Sequence, residues 1–118
     1  MKNVLLVLAL CAGFLAWQSC QYDWVEAEPI DPDQTVSFAE KIVPIFEAKC
    51  NAGVCHGTGG KDPVLTADKA YNSLINGGYV DTTTPGISSI YTSMAPGGSM
   101  SNYCEKADAD LVLIWIQQ

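Results

Sequence analysis

Apolar residues recur at helical spacing in several stretches after residue 36, and each stretch predicts a short α-helix. In the first, Phe38, Ile42 and Phe46 follow at intervals of four and would share one face. Ser37 precedes them and is a residue type that caps helix N-termini. Pro44 lacks a backbone N–H and disfavours α geometry at the residue before it, so we expect a kink or a fresh start there.

The same spacing predicts a second helix over residues 67–76. Thr66 is a candidate N-cap, and two glycines follow the segment directly, as is common where helices end. Tyr71, Leu74 and Ile75 would lie on one face of this helix.

Two more helical segments are predicted towards the C-terminus. Residues 88–93 are long enough for one or two turns, and the last segment has apolar residues at helical spacing. The face expected to be buried in this last helix consists of Ala107, Leu111, Ile114 and Trp115. No stretch alternates with the period of a strand, so the predicted fold class is all-α, with three to four short helices.

Two glycine-rich loops separate the predicted helices, over residues 51–63 and 95–100. Long irregular loops are uncommon in a small domain unless they have a function. A domain of this size also buries little apolar surface and is often completed by a disulfide, a metal or a cofactor. The loops therefore indicate a ligand.

Residues 1–19 have the layout of an export signal, with Lys2 followed by an apolar run and a small residue before Cys20. This segment resembles a bacterial lipoprotein signal, which implies acylation of Cys20; plain secretion is the alternative. Residues 20–36 are acidic and contain prolines, so we expect an extended tether, with the folded domain over residues 37–118. The predicted location is periplasmic or outer-membrane-associated.

Charge narrows the range of partners. The chain has a net charge of −7, and all thirteen of its acidic residues follow Cys20. Such a surface repels nucleic-acid phosphates and anionic lipid headgroups, so we expect no nucleic-acid partner and membrane attachment only through the lipid anchor. Basic protein partners are favoured.

Candidate chemistry lies in the first glycine-rich loop, where Cys50, Cys55 and His56 form a C-x4-C-H pattern. It is an expanded form of the C-x2-C-H arrangement that attaches haem through two thioethers and an adjacent imidazole ligand. Two alternatives stay open. In an oxidising compartment Cys50 and Cys55 could form a disulfide, and the thiols of Cys50, Cys55 and Cys104 with His56, the only histidine, could bind zinc.

From Phe38 onward the chain resembles the class I cytochrome c family. The matching parts are FAEKIVPIFEAKC before the motif, CHGTGGKDPVLT across it, a methionine in a glycine- and proline-containing loop, and a terminal helix ending in LVLIWIQQ. The four residues between the two thiols differ from the usual two. The resemblance implies a small helical domain around one covalent haem c that transfers single electrons to a redox partner protein and is not an enzyme.

The resemblance also assigns roles to residues beyond the motif. It implies that the backbone carbonyl of Pro63 accepts a hydrogen bond from the Nδ1–H of His56, which fixes the imidazole that binds iron. The sixth iron ligand would be Met100, with Met94 as the alternative.

A second hypothesis assigns a different kind of function: a haem-free adhesion or scaffold lipoprotein, stabilised by a disulfide between Cys50 and Cys55. Cys104 has no assigned role in either hypothesis. It would be a buried thiol, a redox-sensitive site or a dimer-forming disulfide.

Overall fold

The computed structural model describes residues 30–118. The predicted signal segment 1–19, the lipid attachment at Cys20 and most of the tether 20–36 lie outside the described residues. Within residues 30–118, none of the helices has the length and apolar character needed to cross a membrane.

The described part of the chain is helical and contains no strand, so the all-α prediction is confirmed at the level of fold class. A π-helical turn over Phe38–Ile42 continues into the first α-helix, and a 3₁₀ turn over Pro85–Ile87 precedes the third. The α-helices are α1 (Val43–Lys49), α2 (Ala70–Asn76), α3 (Ser89–Met94) and α4 (Lys106–Gln117).

Pro44 coincides with a change of helix type. Ser37 caps the π-helical turn as predicted, with its hydroxyl accepting a hydrogen bond from the Glu40 N–H at 3.3 Å. The Val43 N–H bonds to the Phe38 carbonyl, five residues back, and α geometry follows from Val43, with the proline in its first turn. Proline has no backbone N–H. In the first turn of a new helix this N–H would have no partner within the helix, so starting a helix here loses no hydrogen bond.

The second helix is shorter than predicted, and its buried face is different. It begins at Ala70 and not at residue 67, and Thr66 donates its hydroxyl to the Asp68 carboxylate at 2.7 Å and does not cap it. Its buried residues are Ala70 and Leu74, whereas Tyr71 and Ile75 are exposed. The predicted end at residue 76 is correct, because the chain turns there through Gly78, which has a positive φ of 72°.

The final helix is present, but the phase of its buried face was predicted wrongly. Ala109, Val112 and Ile116 are buried together with Ile114, while Leu111 and Trp115 are only partly buried. Trp115 is partly exposed because it belongs to an aromatic cluster at the edge of the core, with its ring 4.7 Å from that of Phe38. Tyr71 completes this cluster, at 5.3 Å from Phe38.

One hydrophobic core joins the helices. Ile42 and Phe46 from the first helical segment, Leu74 from α2 and Val112 from α4 are all fully buried in it. Val36 is buried as well, at 2% exposure, and its backbone exchanges two hydrogen bonds with the Gln118 side chain. The folded part of the described chain therefore already includes Val36.

Candidate functional site

A cavity of about 420 Å³ with a mostly apolar lining lies between the 50–65 loop, α3 and the 95–104 segment. It brings together all of the described residues for which the sequence suggested chemistry: Cys50, Cys55, His56, Pro63, Met94, Met100 and Cys104. Further lining residues include Lys49, Val54, Lys61, Leu65, Tyr79, Ile90 and Tyr103. Residues far apart in sequence thus converge on one apolar space of the size that ligand sites have.

The orientation of His56 is set by two backbone carbonyls. Its Nδ1 lies 3.0 Å from the carbonyl oxygen of Pro63 and 3.2 Å from that of Lys61. A carbonyl oxygen only accepts hydrogen bonds, so Nδ1 carries the proton and donates it. In the neutral imidazole the lone pair is therefore on the other ring nitrogen, Nε2, which is the tautomer that binds a metal through Nε2.

The segment between Cys50 and His56 is a compact turn held by its backbone. The His56 N–H donates to the Cys50 carbonyl at 3.1 Å, and the Cys55 N–H donates to the Ala52 carbonyl at 3.1 Å. Gly53 has a positive φ of 55°, which a residue with a Cβ adopts at a cost. The four residues between the thiols thus form a turn that directs both cysteines and His56 towards the same cavity.

The loop is closed on its far side by further backbone contacts. The Leu65 N–H donates to the His56 carbonyl at 2.7 Å, and the Lys61 N–H donates to the Cys55 carbonyl at 2.6 Å. Gly60 lies so close to the same Cys55 carbonyl that a Cβ at this position would overlap it. The main chain therefore holds His56 in place on both sides.

The two methionines occupy different surroundings. Met94 is the last residue of α3, is 2% exposed and belongs to the hydrophobic core. Met100 is partly exposed and lies in the second glycine-rich loop, where its N–H donates to the Ser93 carbonyl at 2.8 Å. Both line the cavity, but only Met94 is also a core residue.

The three described cysteines are free thiols in different surroundings. Cys55 is exposed, whereas Cys50 and Cys104 are partly buried against the core. Burial, and after it the neighbouring Cys104 thiol, raises the pKa of Cys50 to about 12. Burial likewise raises the pKa of Cys104. Both thiols are therefore protonated at neutral pH.

A salt-bridge cluster fixes the rim of the cavity next to these thiols. The Lys49 ammonium lies 2.6 Å from the Asp108 carboxylate and 3.3 Å from that of Glu105. Glu105 and Asp108 also form a capping box at the start of α4. The hydrogen bond to Asp108 is the main cause of a raised Lys49 pKa. The end of α1 is thereby attached to the beginning of α4.

Nowhere among residues 30–118 do three histidine, cysteine or acidic side chains converge as a tetrahedral metal site would require.

Comparison of the chain with protein-family models, with curated proteins and with solved structures finds no match in any of the three.

Sequence reasoning missed several residues of this site. Tyr79 and Tyr103 line the cavity without a role having been expected for them, and Lys49 was not recognised as the link to α4. For Lys49 a signal did exist, since it lies in the last turn of one helix and Asp108 lies in the first turn of another, the positions where the helix dipole favours a cation and an anion. The tyrosines gave no comparable signal, because their positions depend on how the loops fold.

Proposed function

We propose that this protein is a c-type cytochrome that transfers single electrons through one haem c, bound covalently to Cys50 and Cys55 and ligated by His56. The observation on which the proposal rests is the His56 ring, whose Nδ1 donates to the Pro63 carbonyl at 3.0 Å beside two thiols and an apolar cavity. A carbonyl partner of this kind fixes the ring and increases its strength as a ligand.

The residues present suit the proposed cofactor. The cavity of about 420 Å³ is mostly apolar, as a tetrapyrrole requires, and is open, so part of a large planar group would remain outside it. The donors are two thiols, one imidazole and two thioethers, a set typical of haem proteins. Haem, when bound, supplies a one-electron iron couple.

Met100 is the proposed sixth ligand, and Met94 is the alternative. Met94 already has a structural role, since its side chain is 2% exposed and fills the core. Met100 lies on a loop held to α3 by the Ser93 carbonyl, and no such packing occupies its side chain. Ligation by a thioether and an imidazole would favour the reduced state of the iron and would leave no position open for a substrate. Electron transfer without catalysis is therefore proposed.

The remaining features of the proposal concern the surroundings of the protein. We propose an exported lipoprotein anchored through Cys20, with the haem domain held at the membrane surface by the acidic tether. The net charge of −7 favours a basic redox partner protein through electrostatic attraction.

The proposal is tested by producing the full chain together with haem-attachment machinery. We expect a coloured protein whose intact mass exceeds that of the polypeptide by one haem, retained after acid extraction. Its absorbance should change sharply between the oxidised and the dithionite-reduced forms. His56→Ala should lose the low-spin reduced spectrum, whereas Thr58→Ala, an exposed change in the same loop, should keep it.

Two results would contradict the proposal. One is a colourless protein despite competent maturation, which would favour the haem-free, disulfide-stapled alternative. The other is an unchanged reduced spectrum in the His56→Ala variant. Met100→Ala and Met94→Ala then separate the two candidates for the sixth ligand, because only loss of the true ligand should abolish the thioether-to-iron charge-transfer band.

A further inference from the structure

Cys104 is a third thiol at the cavity, and the proposed haem attachment does not use it. It is partly buried and packs against the core, as does Cys50. The two thiols line the same cavity and are near enough to alter each other's ionisation. Cys55, by contrast, is exposed.

The backbone next to each of these two cysteines is held in place. Lys49 directly precedes Cys50, and Glu105 directly follows Cys104; their side chains form a salt bridge of 3.3 Å. The 2.6 Å contact from Lys49 to Asp108 attaches the same two segments a second time. Cys50 and Cys104 are therefore kept side by side by contacts that do not involve their own sulfurs.

We propose that Cys50 and Cys104 form a reversible disulfide in the haem-free protein and that this bond controls whether Cys50 is available for cofactor attachment. The second half of this proposal rests on the function proposed above. The first half does not, because it concerns only two thiols that line the same cavity.

The chemistry is an exchange between two thiols and a disulfide oxidant, either a protein disulfide or a small-molecule disulfide. The Cys50 and Cys104 thiols lose two protons and two electrons and form one S–S bond, while the oxidant is reduced to two thiols. A dithiol reductant reverses the reaction. Thioether formation adds a sulfur and its proton across a vinyl double bond, so Cys50 cannot take part while its sulfur is bonded to Cys104.

The pairing can be mapped on the haem-free protein. The full chain is exported without haem-attachment machinery, quenched with acid, unfolded, treated with N-ethylmaleimide and digested with trypsin. Cleavage after the lysines leaves Cys50 and Cys55 together in peptide 50–61 and Cys104 in peptide 70–106. We expect these two peptides to be joined, with one maleimide group on Cys55.

Two variants serve as matched controls. Cys55→Ser should retain the joined peptides, and Cys104→Ser should lose them while keeping the helical circular dichroism of the parent. An internal disulfide within peptide 50–61, with the maleimide on Cys104, would overturn the proposal. Recovery of Cys50, Cys55 and Cys104 all in alkylated form would also overturn it.

The consequence for attachment has its own measurement. Oxidised and dithiothreitol-reduced samples of the haem-free protein are incubated with haem and attachment machinery. Peptide 50–61 is then fragmented in the mass spectrometer, so that haem on Cys50 is counted separately from haem on Cys55. We expect haem on Cys50 to be at least tenfold less abundant in the oxidised sample. Equal amounts of haem on Cys50 in the two samples would show that the disulfide does not control attachment. If neither sample gains haem while the peptides are joined, the proposed function fails and the disulfide stands.

Discussion

The two sides of this small domain are built on different principles. On the helical side, Ile42, Phe46, Ala109 and Val112 are fully buried, and their contacts are made entirely within the protein. On the cavity side, the loop after α1 has little regular structure and apolar side chains remain in solvent, with Val54 86% exposed. The helical side is complete as it stands, whereas the cavity side leaves apolar surface in solvent, which the proposed haem would cover in part.

This difference predicts which side of the domain contributes most to the free energy of unfolding. Burial of apolar area is the dominant favourable term in folding, so the helical side should set the stability of the haem-free protein. A group that binds only the folded state would add stability according to its affinity, and this gain would come from the cavity side.

The largest expected effect is on the helical side. Phe46→Ala removes a fully buried ring and should lower the free energy of unfolding by about 3–5 kcal/mol. Val54→Ala, on the cavity side, should change it by less than about 0.5 kcal/mol in the haem-free protein. Urea unfolding followed by circular dichroism measures both. If Phe46→Ala leaves no folded protein, Ile42→Val, with an expected loss of about 0.5–1.5 kcal/mol, replaces it. Similar losses for Val54→Ala would contradict the comparison.

The methionines give the next largest contrast, because both line the cavity but only Met94 is also a core residue. Met94→Ala should cost the haem-free protein about 2–4 kcal/mol, as expected for a core methionine. Met100→Ala should cost less than about 1 kcal/mol, since its side chain is partly exposed. The same unfolding measurement tests both, and the reverse order of the two losses would show that the Met100 loop is part of the core.

Thiol reactivity reports on the boundary between the two sides. In reduced, haem-free protein at pH 8, iodoacetamide should modify Cys50 about a hundredfold more slowly than the exposed Cys55. The physical reason is that burial raises the pKa of Cys50 to about 12. The fraction of Cys50 present as thiolate is therefore small at pH 8 and grows as the pH approaches the pKa. Quenched alkylation with mass spectrometry of Cys50→Ser and Cys55→Ser measures each rate separately. Equal rates at pH 8 would mean that Cys50 is not buried in solution.

The smallest expected effect concerns the Lys49 salt bridges. Lys49→Met should lower the free energy of unfolding by about 0.5–1 kcal/mol at low salt and by less at high salt. Lys106→Met removes an exposed pair with Asp110 and serves as the control, with no measurable change expected.

The pH dependence of this contribution has a definite sign. The pKa of Lys49 is raised above its usual 10.5, so the folded state favours the charged amine. The stabilisation should be fully present below pH 10.5 and disappear as pH rises through the raised pKa. The measurement is the difference in the free energy of unfolding between wild type and Lys49→Met, determined at several pH values across this range. A difference that grows above pH 10.5 would contradict the assignment.

The sequence predicted the helices better than their orientation. Periodic apolar residues located α1, α2 and α4, because any helix that packs on a core needs such a stripe. The helix α3 was expected from the length of its segment alone, and the 3₁₀ turn over Pro85–Ile87 was not predicted. They did not predict which side faces inward in α2 or α4, since Tyr71 and Trp115 pack with Phe38 at the edge of the core. Aromatic rings are large enough to make contacts from the edge, so counting them as core residues shifted the predicted face.

For the candidate site, the local motif was more informative than anything else. The hydrogen bond from His56 to the Pro63 carbonyl was expected from the family resemblance alone, and the structure contains it. The proximity of Cys104 to Cys50 was raised only through the zinc alternative, because it depends on how α4 packs against α1. Contacts between residues distant in sequence are set by the tertiary fold, which a single sequence does not display.

The π-helical turn over Phe38–Ile42 makes the length of this segment important, and not only its composition. Such a turn accommodates one residue more than an ordinary α-helical turn would. Deleting a single amino acid here would let the helix run on regularly and would rotate Phe38 by about 100° around the axis, away from Tyr71 and Trp115. Insertions and deletions at this point should consequently be tolerated far less well than substitutions at the exposed Glu40 or Lys41.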